Sequence, residues 1–568
     1  MKSRRRIRIL VLVAVSALAS WEAQATIPPR QGVKWPRSYQ ERRAAAPPSR
    51  PAFTYKRALL NVTKRIQQNR ERMMRGDMTA TAAAAAPGGV SVSGTRKIPV
   101  LMSRFSNTAA APYPEANLQK ELFDGPWPTG TMTDFYKEIS YGAFTVTGTV
   151  SPWQSLPKAD TFYEGGANCN GICGASKVGD FLKDTLDAND PGVDFGQYDN
   201  DGPDGVPNSG DDDGFVDFVA FVHAEAGGEC GNSNIWSHRW SYSGWTNTAY
   251  TTADNKAGGG KIKVDDYVIM PALACDGTTM IQIGVFAHEF GHAFGLPDLY
   301  DTDPDNGDSE GIGNWCLMAG GSWGGDGQSP EKPVHMSAWS KEFLGWVTPT
   351  NVTADLNPAS LKSVESDPSV LKVPISATQW YLVENRQKKL FDAKLPVGGL
   401  LVWKIDQAKI TAGLANNSVN ADESNKGVDL EEADGLTHLD AGTNRGDAGD
   451  PFPGSADKRA FDNATNPKSL GTRAICAISD PADTMTAVVR ASSGTCAGIA
   501  SPTPTPSPTP TATPTPGGGG GGSCSGAVVL PGGGGGPGGG FGLLWLLAPI
   551  GLAAALLARR SRARPAVP

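Results

Sequence analysis

Apolar and polar residues alternate through Phe144-Thr-Val-Thr-Gly-Thr-Val150, a period of two that predicts a strand with one buried face. Arg96 to Phe105, Phe215 to His223, Trp380 to Val383 and Leu400 to Trp403 are apolar runs of strand length. Phe135 to Tyr141 spaces its large residues as a short helix does. A mixed α+β region over 96–350 is therefore expected, followed by a β-rich region over 351–497, where strands and turns take over. Ahead of both, 26–95 is rich in Ala, Arg and Pro, holds one helix-compatible stretch at Tyr55 to Arg75, and suits a pro-segment. No internal repeat of solenoid length is present.

The two ends follow other rules. Lys2, Arg4, Arg5, Arg6 and Arg8 precede the apolar run Ile9 to Ala19, and Ala23-Gln24-Ala25 supplies a small-x-small cleavage pattern, so 1–25 reads as a secretory signal for signal peptidase. At the other end, 498–540 is a linker of Thr/Pro repeats and Gly-rich stretches that cannot pack a core. Within 541–568, Phe541 to Ala558 is an apolar helix candidate barely long enough to contact and cross a membrane, closed by Arg559, Arg560, Arg562 and Arg564. That order resembles bacterial sorting signals of the GlyGly-CTERM type, which a membrane protease removes. A plain C-terminal anchor is the alternative. Both readings place the chain in the medium or on the cell surface.

Composition narrows the classes further. Charged residues are 19% and the net charge is −7, which excludes a coiled coil and a basic nucleic-acid binder. The eight cysteines contain no CxxC pair, and in an oxidising compartment bridges are their natural use. Cys169/Cys173 and Cys476/Cys496 are close enough for local bridges, and Cys230/Cys275 is a plausible third, although spacing alone does not fix connectivity.

The chemistry concentrates in His288-Glu289-Phe-Gly-His292-Ala-Phe-Gly295-Leu-Pro-Asp298. Residues four apart share a helix face, so His288 and His292 can direct their imidazoles at one metal. Glu289 stands beside the first ligand, where it can take a proton from a metal-bound water. Gly295 can end the helix and turn the chain, bringing Asp298 within reach as a third ligand. Zinc suits nitrogen and oxygen donors with one position left open. A second cluster runs through Asp199, Asp201, Asp204, Asp211, Asp213 and Asp217, interleaved with glycines. Such carboxylates are hard oxygen ligands for structural calcium, and they are equally ordinary turn residues.

These residues resemble the immune inhibitor A type of secreted bacterial metallopeptidase, a metzincin-like family. The likeness rests on His288 to Asp301 and on Met318 in Asn314-Trp-Cys-Leu-Met-Ala-Gly-Gly, the counterpart of the methionine turn beneath the metzincin zinc. It extends to Ser337 to Trp346, Val383 to Gln387, Glu431-Glu-Ala-Asp-Gly435 and Gly449-Asp-Pro-Phe-Pro-Gly454. It implies that His288 and His292 bind zinc, that Glu289 is the catalytic base, and that the substrates are proteins or peptides. It also favours calcium at the acidic cluster. Asp298 departs from the metzincin pattern, which generally has His there. Two other readings compete: a calcium-stabilised surface adhesin with a degenerate peptidase domain, and a cell-wall peptide amidase. No Cys precedes Cys169 and no His precedes His223, so a metal-capping side chain from the pro-segment must be a carboxylate. Asp77 in Met74-Arg-Gly-Asp77 resembles the aspartate switch of astacin-type pro-segments and is the candidate for latency.

Overall fold

The computed structural model describes residues 24–29, 68–70, 72, 77–79 and 91–502, except 168, 203, 304, 305 and 308. The secretory signal up to residue 23, most of the pro-segment, and the linker and apolar C-terminus from residue 503 lie outside the described residues. All described residues belong to one unit that ends at Thr505. Among them no helix is long and apolar enough to cross a membrane.

The first sheet is built from β1 (Gln24–Ala25), β2 (Gly94–Arg104), β3 (Phe144–Val150), β4 (Gln154–Ser155), β5 (Val219–Ala226), β6 (His238–Ser241) and, after the hairpin β7 (Tyr250–Asn255) and β8 (Lys261–Val264), β9 (Asp266–Leu273). Its order is β1-β6-β9-β5-β2-β3, with β4 also on β2. The β9-β5-β2-β3 centre is parallel, whereas β6 and β1 add antiparallel to one edge. Central parallel strands need cover on both faces. Ile98, Val100, Met102, Ala220, Val222, Val268 and Met270 face one core, while Leu101, Val219, Phe221, Tyr267 and Ile269 face another. Helix α1 (Met132–Ile139) and helix α3 (Ile283–Ala293) pack on the first face, and α2 (Val178–Asn189) on the second. A Thr131/Asp134 capping box starts α1, and Tyr136 Oη donates to Ala287 O at 2.7 Å, tying α1 to α3.

Beyond residue 350, β10 (Thr350–Asn351), β12 (Val370–Pro374), β13 (Gln379–Arg386), β14 (Gly399–Asp406) and β15 (Val428–Leu430) make a second sheet. It packs against a third one made from β11 (Leu356–Lys362), β16 (Ala474–Cys476) and β17 (Thr484–Arg490). The period of two is decisive here. Tyr381, Val383, Leu400 and Val402 fill the core between these sheets, while Leu382, Leu401, Trp403 and Ile405 turn the other way into the core that holds α3. Hydrophobic packing is thus continuous across residue 350. Disulfides join Cys169–Cys173, Cys230–Cys275 and Cys476–Cys496, the three candidate pairs of the sequence.

Candidate metal centre

Every residue of α3 is buried, and two glycines let it sit unusually close to its surroundings. A Cβ at Gly291 would stand 2.3 Å from Met318 Sδ, and one at Gly284 would stand 2.0 Å from Ser322 O. The helix therefore lies directly on the turn that carries Met318, itself wholly buried. Gly295, at φ +86°, takes the left-handed conformation that ends the helix, with its N–H on His292 O at 2.9 Å. The chain then returns toward the imidazoles, and Leu299 N–H donates to Met318 O at 2.8 Å, fixing the segment that bears Asp298.

His288, His292 and Asp298 converge, each offering a ligand atom within 4.8 Å of the others. Asp298 Oδ1 is 3.1 Å from His288 Nε2 and 3.2 Å from His292 Nε2. The far ring nitrogens are committed elsewhere: His288 Nδ1 to Leu317 O and His292 Nδ1 to Leu296 O, both at 2.8 Å. These bonds place the proton on Nδ1 and leave Nε2 for a metal. His292 Nε2 is buried with only Asp298 Oδ1 facing it, at 3.2 Å and without good hydrogen-bond geometry, so a cation between the two would satisfy both. Burial disfavours charge on all three groups. Nevertheless the two imidazoles hold the Asp298 carboxyl well below the usual carboxylate range, and Asp298 in turn raises His288 while His292 stays lowered. Two nitrogens and one oxygen, dry and converging, fit a zinc-type ion.

One residue of this centre has no signature in the sequence. Asn417, from the turn after helix α4 (Gln407–Gly413), accepts Asp298 N–H on Oδ1 at 2.8 Å and donates from Nδ2 to Asp298 Oδ2 at 2.6 Å. Its φ of +52° is one that Asn tolerates better than most residues. No spacing along the chain announces a partner 119 residues away.

Glu289 is wholly buried, and burial pushes its carboxyl up to about 8. Its Oε1 accepts the hydroxyl of Thr26, while Oε2 has no partner. Thr26 follows β1, whose Ala25 pairs with His238 on the edge strand β6. Trp236 Nε1 donates to Thr26 O and Trp323 Nε1 to Ile27 O, both at 2.8 Å, and Ile27 is buried. The chain just after the expected signal cleavage thus lies across the site. Asp77, the carboxylate expected there, donates its N–H to Arg72 O at 2.9 Å.

Of the acidic cluster, Asp199 and Asp201 come together with Asp212, which the sequence reading did not single out. Asp199 Oδ1 is buried without a partner, and burial with the neighbouring Asp212 raises its carboxyl to about 7. The others serve the turn around them. Asp213 N–H donates to Asp201 Oδ1, Asp204 N–H to Asp211 Oδ2, and Asn200 N–H to Asp217 Oδ1.

Comparison with known proteins follows the same lines. Residues 120–348 match the model of the immune inhibitor A peptidase M6 catalytic domain. Immune inhibitor A of Bacillus thuringiensis subsp. alesti is 37% identical over 225 residues, covering 38% of this chain and 31% of that protein. The pre-pro-metalloprotease PrtV of Vibrio cholerae serotype O1 (strain M66-2) is 31% identical over 251 residues, covering 41% of this chain and 26% of that protein. The chain spans about a third or less of the length of these curated relatives. The converging His288, His292 and Asp298 lie within the matched segment. Residues 120–348 are thus similar to the metallopeptidase catalytic domain of the immune inhibitor A, peptidase M6, type.

Proposed function

We propose that the chain is a zinc-dependent endopeptidase, exported as a latent precursor, that hydrolyses peptide bonds in extracellular proteins. The observation that carries this reading is the convergence of His288, His292 and Asp298 beside a buried, half-satisfied Glu289. When bound, zinc supplies Lewis acidity toward a water molecule and the scissile carbonyl oxygen. Once Thr26 has left its Oε1, Glu289 takes a proton from the attacking water at its carboxylate and returns it to the leaving amine. An extended substrate can add to the edge of β6, where Gln24–Ala25 now pair, by main-chain hydrogen bonds.

Latency follows from the same edge. While residues 26–29, left at the N-terminus after signal cleavage, remain seated, Thr26 occupies Glu289 and keeps a peptide from it. This contact supports occlusion by the N-terminal segment over capping by Asp77. Calcium held by Asp199, Asp201 and Asp212 would be structural, relieving repulsion among buried carboxylates.

Casein digestion with and without a chelator tests the enzymatic reading against a degenerate, adhesive domain. Processed protein is expected to digest casein only with metal, and Glu289→Gln is expected to keep its metal but lose about 10²–10⁴-fold in rate. Chelator-insensitive digestion, or full activity in Glu289→Gln, rejects the mechanism. Cleavage of cell-wall peptides but not casein favours the amidase reading.

A further inference from the structure

The segments Glu431 to Gly435 and Gly449 to Gly454 have no role in the zinc chemistry, yet they meet around another carboxylate cluster. Glu432, Asp434 and Asp450 each bring an oxygen within 4.8 Å of the others. Asp450 is wholly buried and Glu432 nearly so. The loops are built for this approach: Ala433 N–H donates to Asp450 O, Asp434 N–H to Gly449 O, and a Cβ at Gly449 would stand 2.1 Å from Asp434 Oδ2.

Glu432 accepts the N–H groups of His438 and Leu439 and feels the Lys426 ammonium from a distance, but no cation pairs directly with the cluster among the described residues. A few residues away, Asp429 and Asp440 share the ammonium of buried Lys426, at 2.6 and 2.5 Å. No Lys or Arg pairs with Glu432, Asp434 or Asp450 among the ion pairs of the described residues. Asp450 Oδ2 is taken by Trp315 Nε1 at 2.7 Å and Asp447 N–H at 2.9 Å, but Oδ1 has no partner although no solvent reaches it. A buried carboxylate oxygen without a donor is costly. Three converging carboxylates make the demand for a positive charge stronger.

We propose that Glu432, Asp434 and Asp450 form a binding site for a hard divalent cation, calcium by the chemistry of its all-oxygen donors. The site is separate from the Asp199 turn and does not depend on the peptidase reading. It bears on the catalytic region through one side chain. Asp450 holds the indole of Trp315, which lies two residues before Leu317, the carbonyl that fixes His288. A cation on Asp450 braces the turn under the zinc centre.

The test is calcium stoichiometry in the full chain, stripped of metal and reloaded with zinc, measured by equilibrium dialysis. Asp434→Asn is expected to bind one calcium fewer per chain than the parent, and Asp199→Asn is expected to retain the ion that Asp434→Asn loses. Glu432→Gln serves as the second variant, with circular dichroism to show that each is folded. Trp315 also makes the site a sensitised terbium emitter, and Asp434→Asn is expected to lose emission that Asp199→Asn keeps. Unchanged stoichiometry in a folded Asp434→Asn or Glu432→Gln chain overturns the proposal. So does an Asp199→Asn chain that binds no calcium, a result that needs neither loop variant to fold.

Discussion

Asp298 and Asp199 are both wholly buried carboxylates, and they stand in opposite conditions. Asp298 has two imidazoles on one oxygen and the Asn417 amide on the other, and it is held well below the usual range. Asp199 takes one N–H, from Gly214 at 3.0 Å, keeps an orphaned oxygen, and is raised to about 7 by burial among like charges. The first is organised before any metal arrives; the second is built for an ion that is needed to complete it. Glu289 lies between them, with one oxygen satisfied by Thr26 and the other unpaired. How much partner each carboxylate already has therefore predicts what each loses when a partner is removed.

The largest expected effect comes from taking Glu289's partner away. Ile27 is buried against the core beside Thr26, so Ile27→Asp would place an unpaired charge there and unseat the segment. At roughly 3 kcal/mol for such a burial, peptide hydrolysis by unprocessed precursor should rise about 100-fold. The assay uses a small fluorogenic peptide before any processing, with Asp77→Ala beside it. A silent Ile27→Asp with an active Asp77→Ala would return latency to Asp77. Next in size is the clamp on Asp298. Asn417→Ala should weaken zinc binding by about 10–100-fold, as losing a metal ligand's hydrogen-bond partner generally does. Competition with a coloured chelator measures it, and unchanged affinity would mean that Asp298 owes its order to the imidazoles alone.

The sequence makes one half of this comparison readable. His288, Glu289 and His292 declare themselves because a helix converts spacing of four into a shared face, and Gly295 announces the turn toward Asp298. Alternation bounds the strand at Phe144–Val150 correctly, since Phe144, Val146 and Val150 enter the core that holds Phe135 and Tyr136 of α1, while Thr145 and Thr147 stay only half-buried. What stays hidden depends on distant chain. Asn417 and Thr26 reach the site only after two sheets and an N-terminal strand have assembled, and neither carries a local pattern. Asp212 escapes notice for a different reason: in a run of three aspartates, composition cannot say which one turns inward. The continuous core across residue 350 is likewise concealed, because an alternating strand such as β14 does not reveal that both of its faces are buried.

The Asp199 half yields a change of sign, of intermediate size. Asp199→Asn should raise the melting temperature in calcium-free buffer, because it removes a buried charge from a crowded cluster, and should lower it in millimolar calcium, because it removes a ligand. At calcium about 100 times the dissociation constant, the parent gains about 2.7 kcal/mol that the variant forfeits. Scanning calorimetry in both buffers reads the crossing. A smaller calcium-dependent rise in the variant than in the parent supports the site, since the variant keeps the Asp450 ion; an equal rise in both would remove it.

The smallest effect concerns carboxylates that solve the same problem with protons in place of metal or amide. Glu225, at the end of β5, faces Glu164 and Asp160, and burial first, then these neighbours, raises Glu225 to about 9 and Glu164 to about 7. Unfolded glutamates titrate near about 4.3. Above that value the folded chain holds protons that the unfolded chain has lost, so this cluster's contribution to stability falls as pH rises and levels off only above about 9. Glu225→Gln removes the charge that forms in that window. It should leave the melting temperature nearly unchanged at about pH 4 and raise it by a few degrees at about pH 8. An equal shift at both pH values would show that Gln merely packs better, and a lower melting temperature at the higher pH would show that a charged Glu225 has a cationic partner.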